Sequence, residues 1–211
     1  MFMMLIGCPL LCLGICLPLF LYYKLRKPLL GAGFKSLGTV CAMLPALSAA
    51  VKLNPVYWIF TAALFLHAIA DYLLECWFLG GMGVFLLGHL CYIFGFLQLF
   101  PFTPAHAVLL VCFSAGMGYL LWKKQTLLGK NILPIAVYSL ILAVMSSFGI
   151  AGGLASYSIQ GILIAAGAVL FPVSDLFIFR SLINPQLPRH DLLIMITYYS
   201  AQLLFGLSCL F

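Results

Sequence analysis

The residues able to do chemistry are few, and most stand where polar side chains are expensive. Asp175 lies in AVLFPVSDLFIFR, residues 168–180, an apolar run with Pro172 three positions before the acid. An acidic residue at the centre of an inserted helix costs roughly 2.5–3.5 kcal/mol on insertion scales, so a carboxylate there needs a compensating role. In LHAIADYLLE, His67, Asp71 and Glu75 recur every four residues and share one helical face. His89 and Tyr92, three apart in LLGHLCY, form a second such face, and Tyr198, Tyr199 and Gln202 stand together in MITYYSAQ. Lys35, in GAGFKSLGTV, adds a cation inside another apolar run. Two carboxylates in apolar surroundings, one protonated and the other ionised near Lys35, make the pair that general acid and general base work requires. Ser174 and Asp175 are neighbours, and neighbours on a helix point about 100° apart, so they are no nucleophile and base pair. G-x-S-x-G, H-E-x-x-H and P-loop motifs are missing from the sequence, and no cysteine stands beside an evident His and acid. His67, Asp71, Glu75 and His89 could also ligate a metal, but no metal is expected.

Each residue has a plainer reading. A lone buried acid paired with Lys or Tyr would serve only to lock two helices, Glu75 would suit a solvated helix end, and His67 a hydrogen-bonded helix contact. Tyr198 and Tyr199 would fit an interfacial aromatic belt. The set carries more weight than its members, because ionisable residues gathered inside a membrane read by default as a functional site.

The elements that must position them are transmembrane helices. With 65% hydrophobic and 7% charged residues, the chain cannot cover a water-facing surface. Apolar stretches of about 20 residues fall near 3–22, 33–51, 56–75, 80–99, 105–122, 131–149, 155–178 and 191–210. The expected fold is an all-α integral membrane bundle of eight transmembrane helices, one multi-pass domain over 1–211. Breaks are expected at Lys24 to Pro28, Lys52 to Pro55, Phe78 to Gly81, Pro101 to Pro104, Lys123 to Lys130, Gly152–Gly153 and Asn184 to Arg189. The first stretch lacks a basic n-region and a small-residue cleavage site and is expected to be a retained span. Loops one, five and seven hold Lys24/Arg26/Lys27, Lys123/Lys124/Lys130 and Arg180/Arg189, whereas loops two, four and six hold only Lys52. The positive-inside rule then puts the odd loops in the cytoplasm and both termini on the non-cytoplasmic side. With those directions Lys35, Asp71, Glu75 and Asp175 fall in the cytoplasmic leaflet, and His89 and the Tyr198–Gln202 group run from it toward the middle. The net charge of +6 is accounted for by topology and anionic headgroups, so no nucleic-acid partner is expected. Eight cysteines without a C-x-x-C pair, among them Cys8, Cys12 and Cys16 on one helical stripe, read as small packing residues.

ADYLL, GHLCYIFGF, FPVSDLFIF and ITYYSAQLLFGLS together resemble the signature segments of the YhhN-like family of integral membrane proteins, which includes the lysoplasmalogenases. The resemblance runs from about Lys35 to the C-terminus and departs at Ala70, where the family usually carries Gly. It implies eight spans and hydrolysis of the vinyl ether bond of lysoplasmalogens, giving a fatty aldehyde and glycerophosphoethanolamine or glycerophosphocholine. It also implies a lysophospholipid substrate among membrane lipids, no cofactor, and a bacterial inner membrane as the expected location; oligomeric state is left open. Asp71 and Asp175 match the two motif acids proposed as catalytic, and Lys35, Glu75, His89, Tyr92, Tyr198, Tyr199 and Gln202 are assigned to substrate binding or orientation. Vinyl ether hydrolysis passes through an oxocarbenium ion, which two carboxylates manage in glycoside hydrolysis. The alternatives are a proton-coupled carrier, which inverted repeats with broken helices would favour, and a lipid-binding protein without turnover.

Overall fold

A computed structural model describes residues 2–184 and 190–211. Eight helices in it are long and apolar enough to cross a membrane: α1 Met3–Tyr23, α2 Pro28–Lys52, α3 Tyr57–Cys76, α4 Phe78–Leu99, α5 Pro104–Leu128, α6 Ile132–Ala155, α7 Ile159–Ile183 and α8 Asp191–Ser208. The all-α eight-span architecture read from hydropathy is the architecture found.

Several expected breaks move. Lys123 and Lys124 belong to the last turns of α5, and the chain reverses through a short 3₁₀ turn at Gly129–Asn131, where Gly129 has φ +53°. Gly152 and Gly153 lie inside α6 rather than in a turn, which comes later, where Tyr157 adopts φ +50°. The glycine pair is needed for packing: a Cβ on Gly153 would stand 2.3 Å from the Gly161 carbonyl oxygen on α7. Phe78 to Gly81 is likewise helical, and the break narrows to Trp77. A Cβ at Gly81 would meet the Leu74 backbone nitrogen at 2.6 Å, so glycine permits the tight α3–α4 reversal. Arg189 of the expected seventh loop lies outside the described residues.

Six helices close a ring. α2 packs on α3, α3 on α4, α4 on α6, α6 on α7, α7 on α8, and α8 back on α2. Small residues allow the closest approaches, as is usual between membrane helices; a Cβ on Gly206 of α8 would clash with the Ala42 carbonyl of α2 at 1.9 Å. Outside the ring, α1 leans on α2 and α5 on α6. α5 has only 6% of its apolar window buried, as a helix mostly facing lipid should. α1 winds as a π-helix over Leu10–Cys16, just before Pro18, whose missing N–H could not serve an α-helical bond. Its Cys8, Cys12 and Cys16 are buried with Cys41 in the core, all as free thiols.

The two halves of the ring are filled differently. Toward the α3 N-terminus, Phe60, Tyr92, Phe96 and Phe205 are fully buried and touch one another, with ring centroids 4.5–5.9 Å apart, leaving the axis packed with aromatic side chains. At the other end, where α3 and α7 finish and α2 and α8 begin, the axis opens into a cavity.

Candidate active site

Depth follows from helix geometry. At 1.5 Å per residue, Asp71 stands ~8 Å, Lys35 and Tyr198 ~10 Å and Asp175 ~12 Å from the helix ends at this side, all within one half of a core ~30 Å thick. The cavity between them, ≈ 110 Å³, is walled by apolar groups such as Met82, Phe85, Leu142 and Phe171, with Lys35, Asp71, Tyr138, Ser139, Asp175 and Tyr198 among its polar lining. It adjoins a second cavity of ≈ 320 Å³ at the helix ends, lined by Lys24, Glu75 and Asp191 and sharing Lys35, Leu74 and Phe78 with the first. Asp71, Glu75, Asp175 and Asp191 are all the acids the chain has, and every one faces one of these two joined spaces.

Asp71 is sealed from solvent and held by groups from two other helices, α2 and α8. Its Oδ2 accepts from Thr39 Oγ1 of α2 at 2.5 Å and from the Tyr198 hydroxyl of α8 at 2.7 Å. The Lys35 ammonium lies 3.9 Å from Oδ1, which has no hydrogen-bond donor among the described residues. Behind Tyr198 runs a chain of donors. Tyr92 donates to Gln202 Oε1 at 3.0 Å, and Gln202 Nε2 reaches the Tyr198 oxygen at 2.9 Å and His67 Nδ1 at 2.8 Å. The amide can only donate to His67, so His67 carries its proton on Nε2, facing the Phe85 carbonyl at 3.3 Å. Such a chain polarises each successive hydroxyl toward the carboxylate.

Asp175 has a leaner setting. Its Oδ2 accepts from the Tyr138 hydroxyl of α6 at 2.6 Å, and the Tyr138 oxygen stands 3.2 Å from His89 Nε2. Tyrosine has one proton and gives it to Asp175, so His89 donates through Nε2, and its Nδ1 is left without a donor among the described residues. Asp175 remains partly accessible. Ser174, next to it, donates to the Ile194 carbonyl at 3.1 Å.

Lys35, Asp71, Asp175 and Tyr198 thus line the inner cavity, and Glu75 lines the outer one, which shares Lys35 with it. His89, Tyr92 and Gln202 stand behind it as hydrogen-bonded supports, and Tyr199 donates to the Lys35 carbonyl at 2.9 Å, fixing the backbone that carries the lysine. Thr39, Tyr138, Lys24 and Asp191 were not singled out by sequence. Thr39 was recoverable, since it follows Lys35 by four residues on the same face; a lone tyrosine in the apolar α6 gave no such cue.

The YhhN family matches residues 30–209. This chain belongs to it. Among curated relatives of this family member, the human protein named lysoplasmalogenase TMEM86B is 38% identical over 135 residues, covering 63% of this chain and 54% of the human one. The rat protein of the same name is 36% identical over 157 residues, 72% of this chain and 62% of its own length. The chain therefore spans between about half and just under two thirds of these relatives. No solved structure matches it.

Proposed function

We propose that the inner cavity hydrolyses the vinyl ether bond of a lysoplasmalogen, with Asp175 as general acid and Asp71 as general base. The observation that carries this reading is the placement of two carboxylates from separate helices on one apolar cavity that is packed shut beyond and charged at its mouth. The name shared by the curated relatives supports the substrate class. A single-chain lipid can lie with its headgroup at the mouth and its vinyl ether between the acids, which stand ~8–12 Å below the helix ends, and with its alkenyl tail turned aside along Met117, Leu120 and Leu121 of α5, since the axis beyond is filled by aromatic side chains.

The contacts support this assignment of the two roles. Lys35 and two hydroxyl donors compensate a charge on Asp71, whereas Asp175 has, among the described residues, one donor and no cation in contact. In the first step the Asp175 proton goes to the vinyl carbon remote from oxygen, the π pair forms the new C–H bond, and an oxocarbenium ion results. Water attacks its carbon and loses a proton to Asp71 Oδ1, which has no hydrogen-bond donor among the described residues and has to be uncovered from its buried position as the substrate enters. The hemiacetal then gives its hydroxyl proton to Asp175, the C–O bond to glycerol breaks, and Asp71 returns its proton to the departing oxygen. One water is consumed, aldehyde and glycerophospho-alcohol leave, and both acids regain their starting states. Tyr138, backed by His89, orients Asp175; Tyr198 and Thr39 orient Asp71.

The test is mass spectrometry of purified protein incubated with a lysoplasmalogen. Fatty aldehyde release is expected, and unchanged lipid would favour a carrier or a non-catalytic lipid-binding protein.

The site is proposed to face the cytoplasmic leaflet. The end of the bundle that carries the mouth also holds Lys24, Arg26, Lys27, Lys123, Lys124 and Arg180, while Lys52 stands at the opposite end, and basic loops stay inside. Gln125→Cys, in a background with the native cysteines replaced, should be labelled only from the cytoplasm. Labelling from outside intact cells would reverse the leaflet and the placement of both termini.

A further inference from the structure

The mouth contains two ion pairs that the reaction itself does not require. Lys24 Nζ meets Asp191 Oδ1 at 2.7 Å across 167 residues of sequence, and Lys35 Nζ meets Glu75 Oε1 at 3.2 Å. All four charged side chains line the ≈ 320 Å³ cavity, a volume at the low end of the roughly 300–1,000 Å³ typical of small-molecule sites. They are neither sealed nor free, with side-chain exposures of 18% and 27% in the first pair and 11% and 22% in the second. Partly exposed pairs of this kind are held weakly, so a ligand bearing both charges can exchange with them. Each lysine then gains a phosphate oxygen and each carboxylate an ammonium, through charge-assisted hydrogen bonds.

We infer that this mouth is a zwitterionic headgroup site specific for phosphate joined to a primary ammonium, phosphoethanolamine in preference to phosphocholine. The inference rests on the proposed lysoplasmalogen reading and names the residues that would select the headgroup. Lys24 and Lys35 supply two cations for the phosphate. Glu75 and Asp191 supply carboxylates that can accept N–H bonds, which a primary ammonium offers and a trimethylammonium lacks. Recognition of a quaternary ammonium relies instead on aromatic faces. Of the two rings lining the mouth, Phe20 already has the Lys24 and Lys35 ammonium groups 5.4 and 5.9 Å from its centroid, which leaves Phe78 alone. Lys35 also lies 3.9 Å from Asp71, so the cation that would receive the phosphate adjoins the proposed base.

Binding separates this inference from turnover. Three saturated alkyl-ether lysolipids of one chain length, which contain no vinyl ether to hydrolyse, are titrated into nanodisc-embedded protein: phosphoethanolamine, phosphocholine and bare phosphate. The wild type is expected to bind the phosphoethanolamine lipid at least tenfold tighter than the phosphocholine lipid. Glu75→Gln and Asp191→Asn should each reduce that ratio to threefold or less, while Lys24→Gln should weaken all three ligands. Equal wild-type affinity for the two zwitterions would overturn the inference without any variant having to fold, and so would an unchanged ratio in both carboxylate variants. Selective binding without aldehyde release from the matching vinyl ether lipid would remove the proposed reaction and leave the headgroup site standing. Aldehyde release at equal efficiency from both headgroups, with equal binding, would do the reverse.

Discussion

The two acid-bearing walls of the inner cavity are built on different plans. Asp71 has no accessible surface, accepts two hydroxyl donors on one oxygen, and sits at the end of a relay running from Tyr92 through Gln202 and Tyr198. Asp175 keeps part of its surface open, lines the cavity, and has a single donor among the described residues, Tyr138. A carboxylate gripped on one oxygen has its other oxygen aimed, which suits the proposed base, one that must meet one water in one place once substrate entry has uncovered it. A carboxylate with a single tether and open surface can approach a carbon atom on a substrate that slides in. The comparison teaches that two acids at similar depth need not be equivalent; the helices meeting behind each one set its surroundings and, on the proposed reading, its task.

The largest expected effect tests whether both walls act in the chemistry. Asp175→Asn and Asp71→Asn should each slow aldehyde release by about 10²–10⁴-fold, the range of general acid or base contributions. Both variants should stay folded or gain stability, because Asn is cheaper to bury in a membrane. Turnover and melting temperature on the same preparation decide the matter; full activity in either variant would free that acid of its role.

Truncation should then tell the walls apart. Asp71→Ala strands hydroxyl donors on α2 and α8 in a closed interior, whereas Asp175→Ala opens into the cavity, so the former should lose about 1–3 kcal/mol more stability. Equal melting temperatures in detergent would show that the denser network around Asp71 does not hold the ring together.

Lys35→Met removes the cation beside Asp71 and should lower rate or apparent affinity at least tenfold, about 1.4 kcal/mol. Unaltered kinetics would reduce Lys35 to an interfacial side chain. The smallest effect should come from the supports. Tyr138→Phe leaves Asp175 without the one hydroxyl donor it has among the described residues and should cost more turnover than Tyr198→Phe, since Thr39 still donates to Asp71. Equal rates of aldehyde release in the two variants would erase the distinction between the walls.

Much of this was legible in the sequence. Asp71, Glu75 and His67 could be set on one face because a helix repeats every 3.6 residues, and Asp175 could be set at their depth because each span has a fixed rise. The helix ends were less legible. Gly152 and Gly153 look like a break in hydropathy yet lie within α6, because a residue without a side chain is also what a close helix crossing requires.

The sequence by itself determined the solvent, the eight spans, the face each polar residue occupies and its depth. These depend only on hydrocarbon thickness and on a backbone that must satisfy its own hydrogen bonds in lipid. Tertiary structure alone decided which faces meet. That Tyr138 reaches Asp175, that Thr39 supports Asp71, and that Lys24 finds Asp191 across the bundle depends on how closely helices approach and rotate. Those distances are set by side-chain volume at crossings such as Gly206 against Ala42 and Gly153 against Gly161. In lipid, apolar faces gain little by choosing one another, so packing shape and a few hydrogen bonds choose the partners.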